Sequence, residues 1–248
     1  MRRFIKLMGA AGLNPYTSGL HKYPRGAYPS VPEQSLHSQL KEHYAQPGDT
    51  VEGRVGGYVA DIIRGDQLVE IQTGNFQGEF RRKIRELLKH HRVHIVYPVA
   101  ERRWIIRREG DRRTRRVSPR RGRVEELFNE IVYAPDLPTT PGFSLEVALV
   151  DTEEDQEVKW RGRRRIRYRT TERRLLRVVG SRTFSRPDDY LGLMPEKLET
   201  AFTARELSRR TGLRITLARR MVYCLAKMGL LKEVGAVARA KLYQVKRG

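Results

Sequence analysis

The chain has 248 residues and carries 50 Lys and Arg against 29 Asp and Glu, a formal net charge of +21. That length holds one large domain or two small ones, and that charge predicts a polyanionic partner, most simply nucleic acid. The single cysteine, Cys224, excludes disulfides within the chain and Cys₂ or Cys₄ zinc sites, and no run approaches the roughly 18 apolar residues of a membrane span.

Residues 1–31 hold Gly, Pro, Tyr and Ser with little periodicity and read as an N-terminal arm. The arm opens basic and then partly apolar, but Lys6 interrupts the apolar run, which is too short for a good signal peptide. A mobile basic tail and a cytoplasmic location are the expectation. A helix from about Pro32 to Ala45 follows, with Leu36, Leu40 and Tyr44 at helical spacing. Two strands come next, about Tyr58 to Ile63 and Gln67 to Thr73, joined by a tight turn at Arg64-Gly65-Asp66. Asp61 lies in the first strand. Glu70 and Gln72 lie in the second, two apart and therefore on one face. An Asp meeting a Glu-x-Gln pair across a sheet can hold Mg²⁺, a hard cation that prefers oxygen ligands. The polar pair is notable because Leu68-Val69-Glu70-Ile71-Gln72-Thr73 is otherwise suited to burial.

A second helix is predicted from about Gly78 to His90, with Phe80, Ile84, Leu87 and Leu88 on one face. His94 to Tyr97 reads as a strand ended by Pro98, and Trp104 to Ile106 as one more. His90, His91 and His94 span a helix end and a strand, and read as surface or structural residues rather than metal ligands.

This order of elements resembles the core of the PD-(D/E)XK nuclease superfamily over about Glu33 to Arg107. The resemblance implies an α/β fold, a mixed sheet flanked by helices, and metal-dependent phosphodiester hydrolysis. It assigns Asp61 and Glu70 as ligands of Mg²⁺ or Mn²⁺. Gln72 stands where the motif has lysine, and Lys83 on the second helix fits a migrated lysine, with Arg82 placed less favourably. Glu33 matches the acid at the start of the first helix, with Glu42 as competitor. The Pro before the first Asp is absent, since Ala60 stands there.

From Arg102 to Arg123, eleven of twenty-two residues are Arg, and Glu109-Gly110-Asp111 suggests a hairpin tip or loop. Such a loop, carrying Arg112, Arg113, Arg115 and Arg116, can grip a phosphate backbone. This closes a nuclease-like domain at 32–124. A basic, β-rich segment spans 125–192. It starts with a short helix from Val124 to Val132 and a turn-rich Ala134 to Gly142. Phe143 to Val150 alternates as a strand. Asp151 to Glu157 reads as an acidic turn, either paired with a basic stretch or lying in solvent. Arg161 to Arg177 reads as a strand pair displaying arginines, among them Arg163, Arg164 and Arg165.

Residues 193–248 form a last domain. Thr203 and Glu206 make the capping-box pattern at a helix start. A second amphipathic helix runs from Ile215 to Met228, and two strands, Gly229 to Gly235 and Ala240 to Val245, flank a basic turn. Helix, Gly-containing turn, helix and hairpin resemble a winged-helix domain. That resemblance implies exposed Arg214, Thr216, Arg219 and Arg220 near the bases in a major groove. The expected function is a Mg²⁺-dependent DNA endonuclease acting on double-stranded or branched DNA. A non-catalytic DNA-binding regulator with a degenerate nuclease core and an RNA-binding protein are the alternatives. The sequence leaves open whether the chain works as a homodimer.

Overall fold

Ser35 starts the first described element. Its Oγ accepts the Ser38 N–H and so caps α1 (Leu36–Tyr44). The structure, a computed structural model, describes residues 35–109, 112–161, 165–196 and 198–246; the predicted N-terminal arm lies outside them. Leu36 and Leu40, four apart, fall on one helix face. They are buried against Ile62, Val69, Ile71, Val96, Ala148 and Val150. Each such fully buried side chain contributes about 2 kcal/mol.

β1 (Thr50–Val55), β2 (Tyr58–Arg64) and β3 (Gln67–Ile71) form an antiparallel meander. Gly65 supplies the left-handed residue, φ 57°, that the two-residue turn between β2 and β3 requires. α2 (Gly78–Leu87) then carries the chain back, so that β4 (Arg92–Glu109) lies parallel to β3. β6 (Phe143–Arg161) lies parallel to β4 along its other edge, and β7 (Arg165–Phe184) lies antiparallel to β6. The short β5 (Arg112–Val117) pairs with the second half of β4, beyond the stretch that β3 occupies. The result is an α/β fold with a seven-stranded mixed sheet flanked by helices.

α1 covers one face of this sheet. On the other face, Leu68, Ile95, Leu145 and Val147 join a larger core. That core takes in Ile84 and Leu87 of α2, Phe128 and Ile131 of α3 (Phe128–Ile131), Leu207 of α4 (Ala204–Thr211) and Met221 and Leu225 of α5 (Ile215–Lys227). The α4 start is the predicted reciprocal cap: Thr203 Oγ1 accepts the Glu206 N–H, and Glu206 Oε2 accepts the Thr203 N–H at 2.7 Å. β8 (Leu231–Val237) and β9 (Ala240–Val245) form the final hairpin, and Phe202 bridges to Tyr243 of β9.

Three expectations are corrected. Pro98 does not end its strand, because β4 runs through it and pairs it with Ala148. Val93 N–H donates to Gly142 O, so up to the bulge between Ala100 and Arg102 the odd-numbered residues of β4 donate toward β6 and the even-numbered ones away from it. β3 has already ended opposite Val96, so the donor that Pro98 lacks would face no strand. Asp151 to Glu157 is not a turn but the middle of β6. Asp and Glu disfavour strands in isolation, yet here cross-strand arginines neutralise them: Asp151 opposes Arg177, Glu153 opposes Arg174, and Glu154 opposes Arg173. Arg165 to Arg177 is accordingly one side of that ladder, in a single long strand, rather than a strand pair. The hairpin reading of the basic stretch after Arg102 holds, as β4 and β5 pair antiparallel from Trp104↔Val117 to Glu109↔Arg112.

Candidate functional site

The β2–β3 ladder stops at Ile62↔Val69. One residue further, Asp61 takes over the role of a ladder partner: its Oδ2 accepts the Ile71 N–H at 2.8 Å. The same oxygen meets His37 Nε2 of α1 at 3.2 Å. Glu70, 3% exposed, stands in β3 beside this opening. Its Oε2 accepts from Lys83 Nζ of α2 at 2.6 Å, and Lys83 also donates to Val59 O at 2.6 Å. The end of the β2–β3 ladder thus gathers one group from each of α1, β2, β3 and α2.

The electrostatics follow from these contacts. Burial pushes the Asp61 carboxyl up, but His37 and the Ile71 N–H outweigh it and hold it below the usual carboxylate range. Burial dominates at Glu70 and raises it, although Lys83 pulls the other way. The Asp61 hydrogen bond raises His37 against its own burial. Glu70 Oε1 is buried without a hydrogen-bond partner, a state that costs about 1–3 kcal/mol if nothing meets it.

The divalent cation that the sequence resemblance implies would have to meet Asp61 Oδ1 and Glu70 Oε1. Both bonds to Asp61 end on Oδ2, and Glu70 Oε1 is unmet. Among the described residues no cluster of three or more His, Cys, Asp and Glu is placed to hold a metal. A cation would therefore rest on two carboxylates with water completing its shell, the coordination that suits Mg²⁺.

Other predicted residues fall elsewhere. Glu33 lies outside the described residues, and Glu42 is exposed on α1. Gln72 follows β3 and turns its amide to Asn75 O at 2.7 Å, away from the carboxylates. Arg82 is exposed beside Glu79. His37 escaped the sequence reading. It adjoins Leu36 on a short helix, and no local pattern ties it to Asp61, twenty-four residues away. A second polar group was missed as well: His94 contacts Ser144 Oγ at 2.8 Å and Glu146 Oε2 at 3.1 Å, while Tyr44 donates to Glu146 Oε1 at 2.6 Å. Burial works against the Glu146 charge, yet His94, Tyr44 and Ser181 hold its carboxyl down at about 2. This group ties the end of α1 to β4 and β6.

Of the predicted nucleic-acid contacts, Arg112, Arg113 and Arg116 are exposed on the edge strand β5. Arg115 is engaged by Glu153 at 2.8 Å. Arg163 and Arg164 lie outside the described residues, and Arg165 begins β7 opposite Arg161. Arg214, Thr216 and Arg219 are exposed at the start of α5. Arg220 is not: half-buried, it donates to Asn129 Oδ1 at 2.7 Å and ties α5 to α3. Cys224 is buried, and burial pushes its thiol up to about 12, so it is inert. Among the described residues no helix is long and apolar enough to cross a membrane.

A family model described as Domain of unknown function (DUF8091) matches residues 34–185, a span that holds the whole carboxylate site and ends before α4. A protein of Treponema pallidum (strain Nichols), described as "Uncharacterized protein", is 29% identical over 217 residues, covering 86% of this chain and 85% of that protein. No solved structure matches the chain with statistical significance.

Proposed function

From a chain that belongs to the DUF8091 family, we propose a nucleic-acid-binding protein whose core is a Mg²⁺- or Mn²⁺-dependent endodeoxyribonuclease of the PD-(D/E)XK kind. Its last domain, on this reading, is a winged helix, its substrate is double-stranded or branched DNA, and it works in the cytoplasm. The observation that carries the reading is the convergence of Asp61, Glu70 and Lys83 where β2 and β3 part, with Glu70 Oε1 buried and unmet. Asp61 and Glu70 would hold the cation. When bound, such an ion lowers the pKa of water and offsets charge on a phosphate. Lys83, fixed between Glu70 and the Val59 carbonyl, places a positive charge beside the same point. His37 keeps the Asp61 carboxylate oriented. The arginines of β5 and α5 supply the contacts with phosphates.

One observation favours a second reading, a non-catalytic DNA-binding regulator built on the same core. Gln72 stands at the motif lysine position and points its amide at Asn75 O rather than at the carboxylates. Cleavage of linear and branched duplexes and of RNA, in Mg²⁺, Mn²⁺ and EDTA, separates the two. The nuclease reading expects metal-dependent cleavage that falls to background in Asp61→Ala and Glu70→Ala, with DNA binding retained. Folded wild-type protein that binds DNA and cuts none of these substrates would establish the regulator instead.

A further inference from the structure

An open groove of about 770 Å³ runs between α4, α5 and the β8–β9 hairpin. Ile215, Arg219 and Tyr223 follow one another at four-residue spacing along α5 and line one wall. Tyr223 is 43% exposed there. The hairpin forms the facing wall, with Val237 57% exposed and Arg239 at the tip. That tip is unusual, since Ala238 and Arg239 both take left-handed backbone angles, φ 46° and 66°, where turns of this kind normally place Gly or Asn. The strain fixes the turn that brings Arg239 to the groove. Arg209 of α4 lines it as well. None of these three arginines forms an ion pair among the described residues, whereas Arg103 and Arg108 of β4 and Arg173, Arg174 and Arg177 of β7 each pair with an acid. Two acids, Glu199 and Glu206, also line it; the Glu206 carboxylate accepts from Thr203 and feels the charge of Arg209, so Arg219 and Arg239 are the cations least held by an acid partner.

Exposed aromatic and aliphatic groups among unpaired cations suit a polyanion that can also offer flat apolar faces. A duplex keeps its base faces inside its own stack. A single strand can lay a base on a tyrosine and its phosphates along arginines. We propose that this groove binds a single-stranded segment of nucleic acid, with one base stacked on Tyr223 and the backbone held by Arg209, Arg219 and Arg239. The proposal rests on the nucleic-acid-binding part of the reading above and not on cleavage.

The test is fluorescence anisotropy with the full chain in EDTA, using an oligothymidylate, a matched duplex and a polyglutamate competitor. Tyr223→Ala should weaken oligothymidylate binding roughly tenfold, a typical loss for one stacked base, and leave duplex binding unchanged. Tyr223→Phe should restore it, because the ring remains. Arg239→Ala should flatten the dependence of log K on log salt by about 0.7, one phosphate contact on a single strand. Single-strand binding that is indifferent to Tyr223→Ala overturns the groove assignment and leaves the nucleic-acid reading standing. Polyglutamate that competes in a Tyr223-dependent way assigns the groove to an acidic protein partner and overturns the proposal. Absence of binding to either oligonucleotide removes both readings.

Discussion

Glu70 in β3 and Asp155 in β6 are both carboxylates buried inside strands of one sheet, but their surroundings differ. Glu70 meets a single ammonium, from Lys83, and its burial still raises its pKa. Asp155 sits in the charged half of the sheet, where Arg174 approaches at 2.8 Å and Arg108 at 3.7 Å. Its neighbours Glu153 and Glu154 are paired in turn with Arg115, Arg174 and Arg173. One strand position sets a buried carboxylate against a single ammonium at the end of a ladder. The other has two guanidinium groups against its Oδ2, while its Oδ1, like Glu70 Oε1, is buried without a hydrogen-bond partner. The arginine count of the chain is therefore a poor guide to its ligand surface, since much of that charge is answered within the molecule.

The largest effect expected from this contrast is on stability. Asp155→Ala removes one of three carboxylates around the half-buried Arg174, leaving Glu172 at 2.7 Å and Glu153 at 3.3 Å, and should cost about 1.5–3 kcal/mol, the range for a hydrogen bond to a charged group. Glu70→Gln should cost within about 1 kcal/mol, because the site already carries an unmet charge. Urea denaturation of the two variants compares them directly, and equal costs would erase the distinction.

A smaller effect is expected in the pH dependence. The folded-state pKa of Glu70 lies above its ordinary 4.5. Its contribution is thus complete below pH 4.5 and is lost as pH rises through the folded value. Asp61 lies below its ordinary 3.8, so its contribution is present above that pH and lost as pH falls through the folded value. From pH 4 toward neutrality, Glu70→Gln should therefore gain stability relative to wild type. Over the range below pH 3.8, the deficit of Asp61→Asn should shrink. Thermal melts across this range check both, and parallel curves would mean that neither carboxylate is perturbed.

The smallest effect expected concerns two neighbours on β5. Arg116 is exposed, while Arg115 is held by Glu153. Arg116→Ala should lower the salt slope of duplex binding by about 0.9, one phosphate contact, and Arg115→Ala should leave it nearly unchanged. If the two changes act alike, the Arg115–Glu153 pair opens on binding and the intramolecular pairing is only a resting arrangement.

Much of the local structure was legible in the residues. Leu36 and Leu40 marked the buried face of α1, the Thr203 and Glu206 pair marked the start of α4, and Gly65 marked the β2–β3 turn. The expected sharing of a strand face by Glu70 and Gln72 fails, because β3 ends at Ile71, whereas the stem position of Lys83 beside the core face of α2 was legible as well. The partner of Asp61 was not. His37 reaches it only because α1 lies across the sheet at that point, and nothing within either segment encodes the encounter.

What the sequence determined alone was short-range: periodicity, capping and turn chemistry act between residues a few positions apart, so the residues involved carry the whole signal. Only the tertiary structure decided that β4 continues through Pro98, that Asp151, Glu154 and Asp155 are strand interior, and that Arg220 turns to Asn129 instead of to solvent. Each of those outcomes depends on the register of a distant partner. A proline is tolerated where no strand needs its N–H, and a buried acid is stable where an arginine faces it. Neither condition is written in the segment that obeys it.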